Sequence, residues 1–544
     1  MKGLSPVKVS IACAGLLLLA GTNVAYGRAR CIAHGWDLLN VSPAEVLAHA
    51  DSFARTGVDG VLLMVREKGP DGREISFSHG LPDRVWPADA RERLQPVVAT
   101  CRQIAARRGL SESLVNVWMF PEKRLDWTDD AVWANFATNL ATAAWLARAG
   151  GLRGLALDNE DYRKARQFFW QEGDPPYPQA LELARRRGRE VFGAMFREYP
   201  EITLVAFWLY AQENEWDRPA PNDLRRFAQD NRRLWPAFLD GLWDAMPPTA
   251  RAVDGNEHAY NYIAARGEYY RSACDQRYRL SRAAAPEHRG KVAAQYGCGF
   301  GMYLDNYVKG RACRWYAGLT DDPVHDFRAN LVQATAATED YVWIYGEKSV
   351  WAPWRNLRMK RWETLPLWDV SLPGLYSAIR SVTDPFALAQ EGVAGGSLTN
   401  GVADLVRGTA YWHDDRRPRG RTEILPKALK ADGPNGGAFL VSVPDVRSGE
   451  TYVLAATAAG RARHALVSWK RKGAWDWKAL PVSFLEFAPR PGAVRQCGAA
   501  AVEVPEGADE LVLQLSGDVD AGERVEYADV VIARILDQQG GRVK

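Results

Sequence analysis

Seven cysteines are spread over 544 residues and no two stand in a C-x-x-C spacing, so the sequence offers none of the usual zinc or dithiol motifs. Beyond residue 27 no apolar run is long enough to cross a membrane as a helix. Neither a Gly-x-Gly-x-x-Gly pattern nor a phosphate-loop pattern occurs, which removes the common signatures of nucleotide binding. Charge of one sign is also scarce. The formal net charge is +3, and the first 27 residues hold two lysines and no acid, which leaves about +1 for the rest. That is too little for bulk electrostatic capture of nucleic acid or of an anionic membrane. Small neutral partners suit such a chain better.

What is present begins with a leader. Lys2 and Lys8 precede a Leu-rich run from Ile11 to Ala20, and small residues lead to Ala25-Tyr26-Gly27. This order is that of a secretory signal peptide, and it predicts cleavage over residues 1–27 and a secreted or periplasmic protein. The six later cysteines, Cys31, Cys101, Cys274, Cys298, Cys313 and Cys497, then meet an oxidising compartment, with Cys298 and Cys313 closest in sequence. The length predicts two domains rather than one core. Apolar residues at 47% and charged ones at 25% are ordinary for a soluble globular chain. Tryptophan is abundant, with 21 copies, many of them where strands are expected to end. An exposed indole face packs on the C–H face of a sugar ring, although burial is the ordinary role of any single one.

From Cys31 onward, strand and helix patterns alternate. Strands are expected over Cys31 to Trp36, Val58 to Val65, Leu114 to Phe120, Leu155 to Leu157, Ile202 to Tyr210, a sixth ending at Asp254, Lys291 to Tyr296, and Tyr341 to Tyr345. Helical patterns separate them: one capped by Ser42, then Asp89 to Arg108, Thr128 to Ala149 with Thr128 as the cap, Tyr177 to Tyr199, Asn222 to Leu239, Tyr260 to Ala284 and Pro323 to Thr338. The Gly-rich stretch Gly297 to Gly310 reads as a long loop. About eight such units predict an α/β fold, a closed (β/α)8 barrel of the TIM type, over residues 28–385. Residues 386–544 change character: short β-type runs such as Phe439 to Val443, Thr451 to Ala456, Ala465 to Trp469, Glu510 to Leu515 and Val530 to Ile535 are separated by Gly, Pro, Asp and Asn turns. That pattern predicts an all-β sandwich. The segments Ser448 to Leu454, Leu511 to Leu515 and Glu526 to Ile532 resemble jelly-roll modules of the galactose-binding-like and carbohydrate-binding type, some of which bind sugars while others brace a barrel.

The stretch Gly150 to Tyr162 organises the functional reading. A glycine turn leads into the apolar strand Leu155 to Leu157, which ends in Asp158-Asn159-Glu160-Asp161. At the carboxyl end of a parallel barrel strand, acids face the place where active sites form. Alternation puts Asp158 and Glu160 on one face and Asn159 on the other. Close like charges raise the pKa of one partner, which suits a general acid. Cleavage of a glycosidic bond requires such an acid and a second carboxylate that attacks or activates water. Glu347, just past the last strand, supplies the second carboxylate.

Asn159-Glu160 after the fourth strand resembles the acid/base pair of the large retaining barrel clan of glycoside hydrolases. That resemblance implies Glu347 as nucleophile, although the clan keeps its nucleophile on strand seven and the count here gives strand eight; the mismatch disappears if Lys291 to Tyr296 is not a strand. Gly154 to Glu160 also resembles the fourth strand of chitinase-like barrels, with Ala156 where that family has an acid. This second resemblance implies that Asp158 orients Glu160 and that the substrate's own acetamido group attacks. Other strand-end residues line the expected sugar pocket: His34, Trp36, Asp37, Trp118, Asn159, Trp208, Tyr210, Glu257, His258, Trp343, Tyr345 and Lys348. Glu257 is an alternative second carboxylate. The reading is an exported glycoside hydrolase acting on an oligo- or polysaccharide with no cofactor. Its alternatives are an inactive glycan-binding barrel, or a metal-dependent hydrolase using Asp37, Asp158, Glu160 and His258.

Overall fold

The computed structural model describes residues 28–534 apart from residues 70, 79–80, 162–163, 212–222, 314–315, 356, 359–363, 395–405, 412–420, 426–427, 433–436, 461, 463, 489–494 and 517–523. The expected leader lies outside the described residues. Nine parallel segments form one sheet. Two of them, Tyr296–Cys298 and Phe300–Tyr303, are halves of a single strand interrupted at Gly299, the first pairing with the strand before it and the second with the strand after it. Counting these halves once leaves eight: β1 Arg30–Ala33, β2 Gly60–Leu63, β3 Leu114–Trp118, β4 Gly154–Asp158, β5 Thr203–Ala206, β6 Arg251–Asp254, the divided β7, and β8 Tyr341–Tyr345. Because β1 pairs in parallel with both β2 and β8, the ring closes.

The apolar runs that announced these strands are continuous because both faces are covered. Ile32, Leu62, Leu114, Ala156, Val205, Val253, Tyr341 and Trp343 fill the barrel interior. Their neighbours Cys31, Ala33, Val61, Val115, Leu155, Leu204 and Val342 face the surrounding helices. Those helices include α1 Asp130–Ala149, α2 Tyr177–Glu198, α3 Trp235–Ala245, α4 Arg289–Gln295 and α5 Pro323–Ala337. Ser42 caps its helix as expected, accepting from the Glu45 N–H. For α1 the cap is Asp129, whose carboxylate accepts from Ala131 and Val132, and not Thr128.

Strand seven departs from the sequence reading. Lys291 to Tyr296 belongs mostly to α4, and the strand runs through the stretch read as a loop. Its glycines hide it. A Cβ on Gly301 would stand 2.8 Å from the ring of Trp343 and 2.7 Å from that of Tyr260, so the large indole of β8 takes the space that an apolar side chain of β7 would normally fill. Two helices are also shorter than expected: Asn222 to Leu239 divides into Leu224–Asp230 and α3, and within Tyr260 to Ala284 only Glu268–Tyr278 is α-helical.

The second region is antiparallel. Its strands are β9 Val406–Tyr411, β10 Arg421–Leu425, β11 Ala428–Asp432, β12 Gly437–Pro444, β13 Thr451–Ala459, β14 His464–Arg471, β15 Ala474–Trp475, β16 Ser483–Ala488, β17 Gln496–Glu503, β18 Glu510–Ser516 and β19 Arg524–Arg534. The strand β16 pairs with β14 through its first residues and with β17 through its last, which curls one sheet over the other. Leu454, Val467, Leu485, Leu513 and Tyr527 fill the space between the layers. Helix α6, Pro385–Ala394, lays Phe386 and Ala389 on Val453, Ala455, Val531 and Ala533, covering the outer face of one layer. His325 of α5 meets Glu503 of β17 at 3.0 Å beside it. The six cysteines from Cys31 to Cys497 are all free.

Candidate active site

Acids at or just past the ends of β4, β6 and β8 sense one another. Asp158 is the last residue of β4; its carboxylate accepts the N–H of Glu160 at 3.1 Å, a tight turn that brings the two carboxyl groups side by side. Burial, followed by the charge of Glu160, pushes Asp158 well above the usual carboxylate range. Glu160 rises to about 7, first through burial and then through the charge of Glu347. Glu257 follows β6 through Asn256, whose backbone takes the left-handed conformation at φ 42° and whose side-chain amide donates to the Ser272 hydroxyl at 2.8 Å. Burial and the charges of Glu160, Asp158 and Glu347 push Glu257 well up, and its buried Oε2 has no hydrogen-bond partner among the described residues.

Glu347 has a different setting. Burial and the charge of Asp305 raise it, and it stays above the usual carboxylate range although the Tyr345 hydroxyl, the cation of Lys348 and the Tyr303 hydroxyl pull it partly back down. The Tyr345 hydroxyl donates to it at 3.1 Å, and that hydroxyl accepts in turn from the indole N–H of Trp36. Asp305, just past β7, fixes the backbone by accepting the Glu347 N–H at 2.8 Å. Among the described residues Glu347 is the one of the four acids held by side-chain hydroxyl donors, and Glu160 is the one poised to carry a proton near neutrality.

The floor between them is aromatic. Phe207 and Trp343 stack with centroids 4.4 Å apart, and Trp343 donates its indole N–H to the Gly255 carbonyl at 2.8 Å. Tyr260, Tyr303 and Tyr345 form a second stack, with centroids 5.2 to 5.9 Å apart. His34 lies against Phe207 and Tyr345, is driven down to about 3 by burial and so stays neutral, and its buried Nδ1 has no hydrogen bond among the described residues. Such a nitrogen suits a sugar hydroxyl.

Other expected site residues have separate places. Trp36, 37% exposed, stands at the rim, with Trp118 ending β3 opposite Asp158 in register. Trp208 packs on His258, centroids 5.8 Å apart, and the His258 Nε2 meets the Ala211 carbonyl. Lys348 is exposed. Three expectations are corrected. Asp37 is buried, accepts from the Trp351 backbone at 2.7 Å and the Trp354 indole at 2.8 Å, and fastens the loop after β8; burial pushes it up to about 6. Tyr210 is fully buried behind the barrel, where its hydroxyl accepts from Trp243. Asn159 turns to the neighbouring strand end, donating to the Trp208 carbonyl at 2.6 Å and accepting its N–H at 3.2 Å. Sequence reasoning missed Phe207, Tyr260 and Tyr303. The last had a signal, since it precedes Asp305 at a strand end that the glycines concealed.

Glu347 lies two residues past strand eight by direct count, so it does not occupy the strand-seven position that the resemblance to the retaining clan implied; β7 ends at Tyr303, with Asp305 just beyond it. Among the described residues no group of three or more His, Cys, Asp or Glu side chains is arranged to hold a metal ion. No helix among them is long and apolar enough to cross a membrane.

Barrel and sandwich together make the fold α/β followed by all-β. No family model matches the chain, and no curated protein does. Solved structures do. The exo-β-1,4-mannosidase Op5Man5 from Opitutaceae bacterium strain TAV5 is 16% identical over 68% of this chain and 63% of its own, with a TM-score of 0.37. A GH27 β-L-arabinopyranosidase from Geobacillus stearothermophilus is 10% identical over 91% of this chain and 98% of its own, with a TM-score of 0.32. A CBM4 structure is 16% identical over 25% of this chain and 94% of its own, with a TM-score of 0.18. At such values the activity has to be argued from the site.

Proposed function

We propose that this protein is an exported glycoside hydrolase that cleaves a glycosidic bond at the barrel mouth. Glu160 is the general acid that protonates the leaving oxygen, and Glu347 is the carboxylate that attacks the anomeric carbon or activates water. The observation that carries this reading is the contrast between the two glutamates. One is buried among acids and raised to about 7, while the other is held by two tyrosine hydroxyls beside a lysine. Asp158, bonded to the Glu160 backbone, positions the acid, and Trp36, Trp118 and Trp208 offer faces for sugar rings along the rim. Export rests on the leader.

The test is turnover of a panel of aryl glycosides by Glu160→Gln and Glu347→Gln, each checked for an intact fold. A loss in both supports the assignment, and rescue of Glu160→Gln on substrates with activated leaving groups identifies the acid. Unchanged turnover in both removes it. Binding of oligosaccharide without any hydrolysis by the native chain would favour an inactive glycan-binding barrel.

A further inference from the structure

The sandwich gathers exposed aromatic surface at one hairpin. Between β14 and β16, Trp475 and Trp477 stack with centroids 4.7 Å apart and planes 10° from parallel. The Lys470 ammonium lies 5.1 Å from the centre of the Trp475 ring. With Trp477 on one face of Trp475 and a cation over the ring, the face left open belongs to Trp477, which is 51% exposed. Phe484 of β16, across the ladder from Leu466 of β14, is a further ring of the same sheet and is 52% exposed. Tryptophan is rarely left in water without use, and a rigid ring in a hairpin loses little entropy on binding.

Charge beside the rings narrows the occupant. Lys470 pairs with Glu510 at 2.9 Å and Arg471 with Asp476 at 3.5 Å, while Asp509 caps the turn by accepting the Lys472 N–H at 2.6 Å. Lys472 and Lys478 have no ion pair among the described residues, and both are exposed on the hairpin that carries Trp477, Lys478 directly after it in sequence. The outer face of the other layer is closed by α6, so a ligand of the sandwich finds its aromatic platform here.

We propose that this hairpin is a second binding site, separate from the barrel mouth, for a polysaccharide strand bearing carboxylate groups. The C–H face of one pyranose packs on Trp477, and an acidic substituent of the same or the next residue reaches Lys478 or Lys472. The site goes beyond the catalytic reading and does not rest on it.

The test uses the full chain and its Glu160→Gln variant, in affinity electrophoresis through gels containing polygalacturonate or neutral hydroxyethylcellulose. Both chains are expected to be retarded by polygalacturonate and less by the neutral polymer. Trp477→Ala should weaken the retardation about tenfold or more, as loss of a central aromatic anchor does. Lys472→Ala with Lys478→Ala should weaken it and flatten its dependence on salt. Circular dichroism on each variant checks the fold. Retardation by neither polymer, equal retardation by both, or retardation that Trp477→Ala leaves unchanged overturns the proposal. So does sedimentation velocity showing that the native chain self-associates and that Trp477→Ala abolishes this, which would make the aromatic pair an interface between copies. Since Glu160→Gln binds as the native chain does if the proposal holds, failure of the catalytic assignment and failure of this site give different results.

Discussion

The two ends of the same barrel treat acids in opposite ways. At the amino-terminal end each acid has its guanidinium: Asp59 meets Arg28 at 2.6 Å, Glu112 meets Arg153 at 2.8 Å and Arg30 at 3.3 Å, and Asp340 takes both arms of Arg251. At the carboxyl-terminal end Asp158, Glu160, Glu257 and Glu347 face one another, and among the described residues none of them has an ion pair. One end uses charge as a clamp across neighbouring strands. The other keeps charges that repel and that burial penalises, an arrangement that costs stability and is retained where it does chemistry.

The largest expected effect separates the two ends by activity. Glu160→Gln and Glu347→Gln should each lower kcat by a hundredfold or more, the usual size of an acid–base or nucleophilic contribution. Glu112→Gln, an equal change of charge at the opposite end, should leave kcat within about twofold. Comparable losses in all three would mean that the charges act through the fold and would erase the distinction.

Stability should answer in the reverse sense. Asp340→Ala leaves Arg251 without its partner in a half-buried position and should cost about 2 kcal/mol, read as a lower denaturant midpoint with kcat unchanged. At the mouth, removing an acid should stabilise. Glu160 has a folded-state pKa near 7, above its unfolded value. Between about pH 4.5 and 7 the folded state thus holds a proton that the unfolded chain has released, so stability falls as pH rises through that window. Glu160→Gln should flatten this slope and, at pH 8, stand on the order of 2 kcal/mol above the native chain. A variant that gains stability while losing turnover would be direct support for the trade at the mouth. A steeper slope in the variant would contradict it.

How far this arrangement could be read from the sequence depends on what each signal rests on. The acids at 158, 160 and 347 were legible because they follow short apolar runs that only a buried parallel strand explains. Strand seven was not, since Gly297, Gly299 and Gly301 carry no hydrophobic periodicity; the space beside them is taken by Asp340 at Gly297, by Val253 and the Tyr341 backbone at Gly299, and by Trp343 and Tyr260 at Gly301. Alternation served for Asn159, one residue past β4, and failed for Tyr210. Strand β5 ends at Ala206, and beyond it the backbone no longer fixes which way a side chain points. Asp37 failed for the same reason, because a strand ending at Ala33 does not determine a residue in the following turn. Glu257 reaches the mouth through a left-handed Asn256, a local backbone choice that composition does not announce.

The smallest effect probes the contrast between the two glutamates themselves. Lys348 is the cation beside Glu347 among the described residues, and its charge favours the ionised form. Because the ammonium is exposed, water and salt screen it, and its removal should raise the Glu347 pKa by only a few tenths of a unit. If Glu347 must be ionised for the reaction, Lys348→Met should move the acid limb of kcat/KM upward by that amount. The alkaline limb, set by the proton on Glu160, should stay near pH 7. High salt should shrink the difference between variant and native enzyme, since it weakens the same interaction in the native chain. A displaced alkaline limb with an unmoved acid limb would assign the ionised role to Glu160 and reverse the two carboxylates.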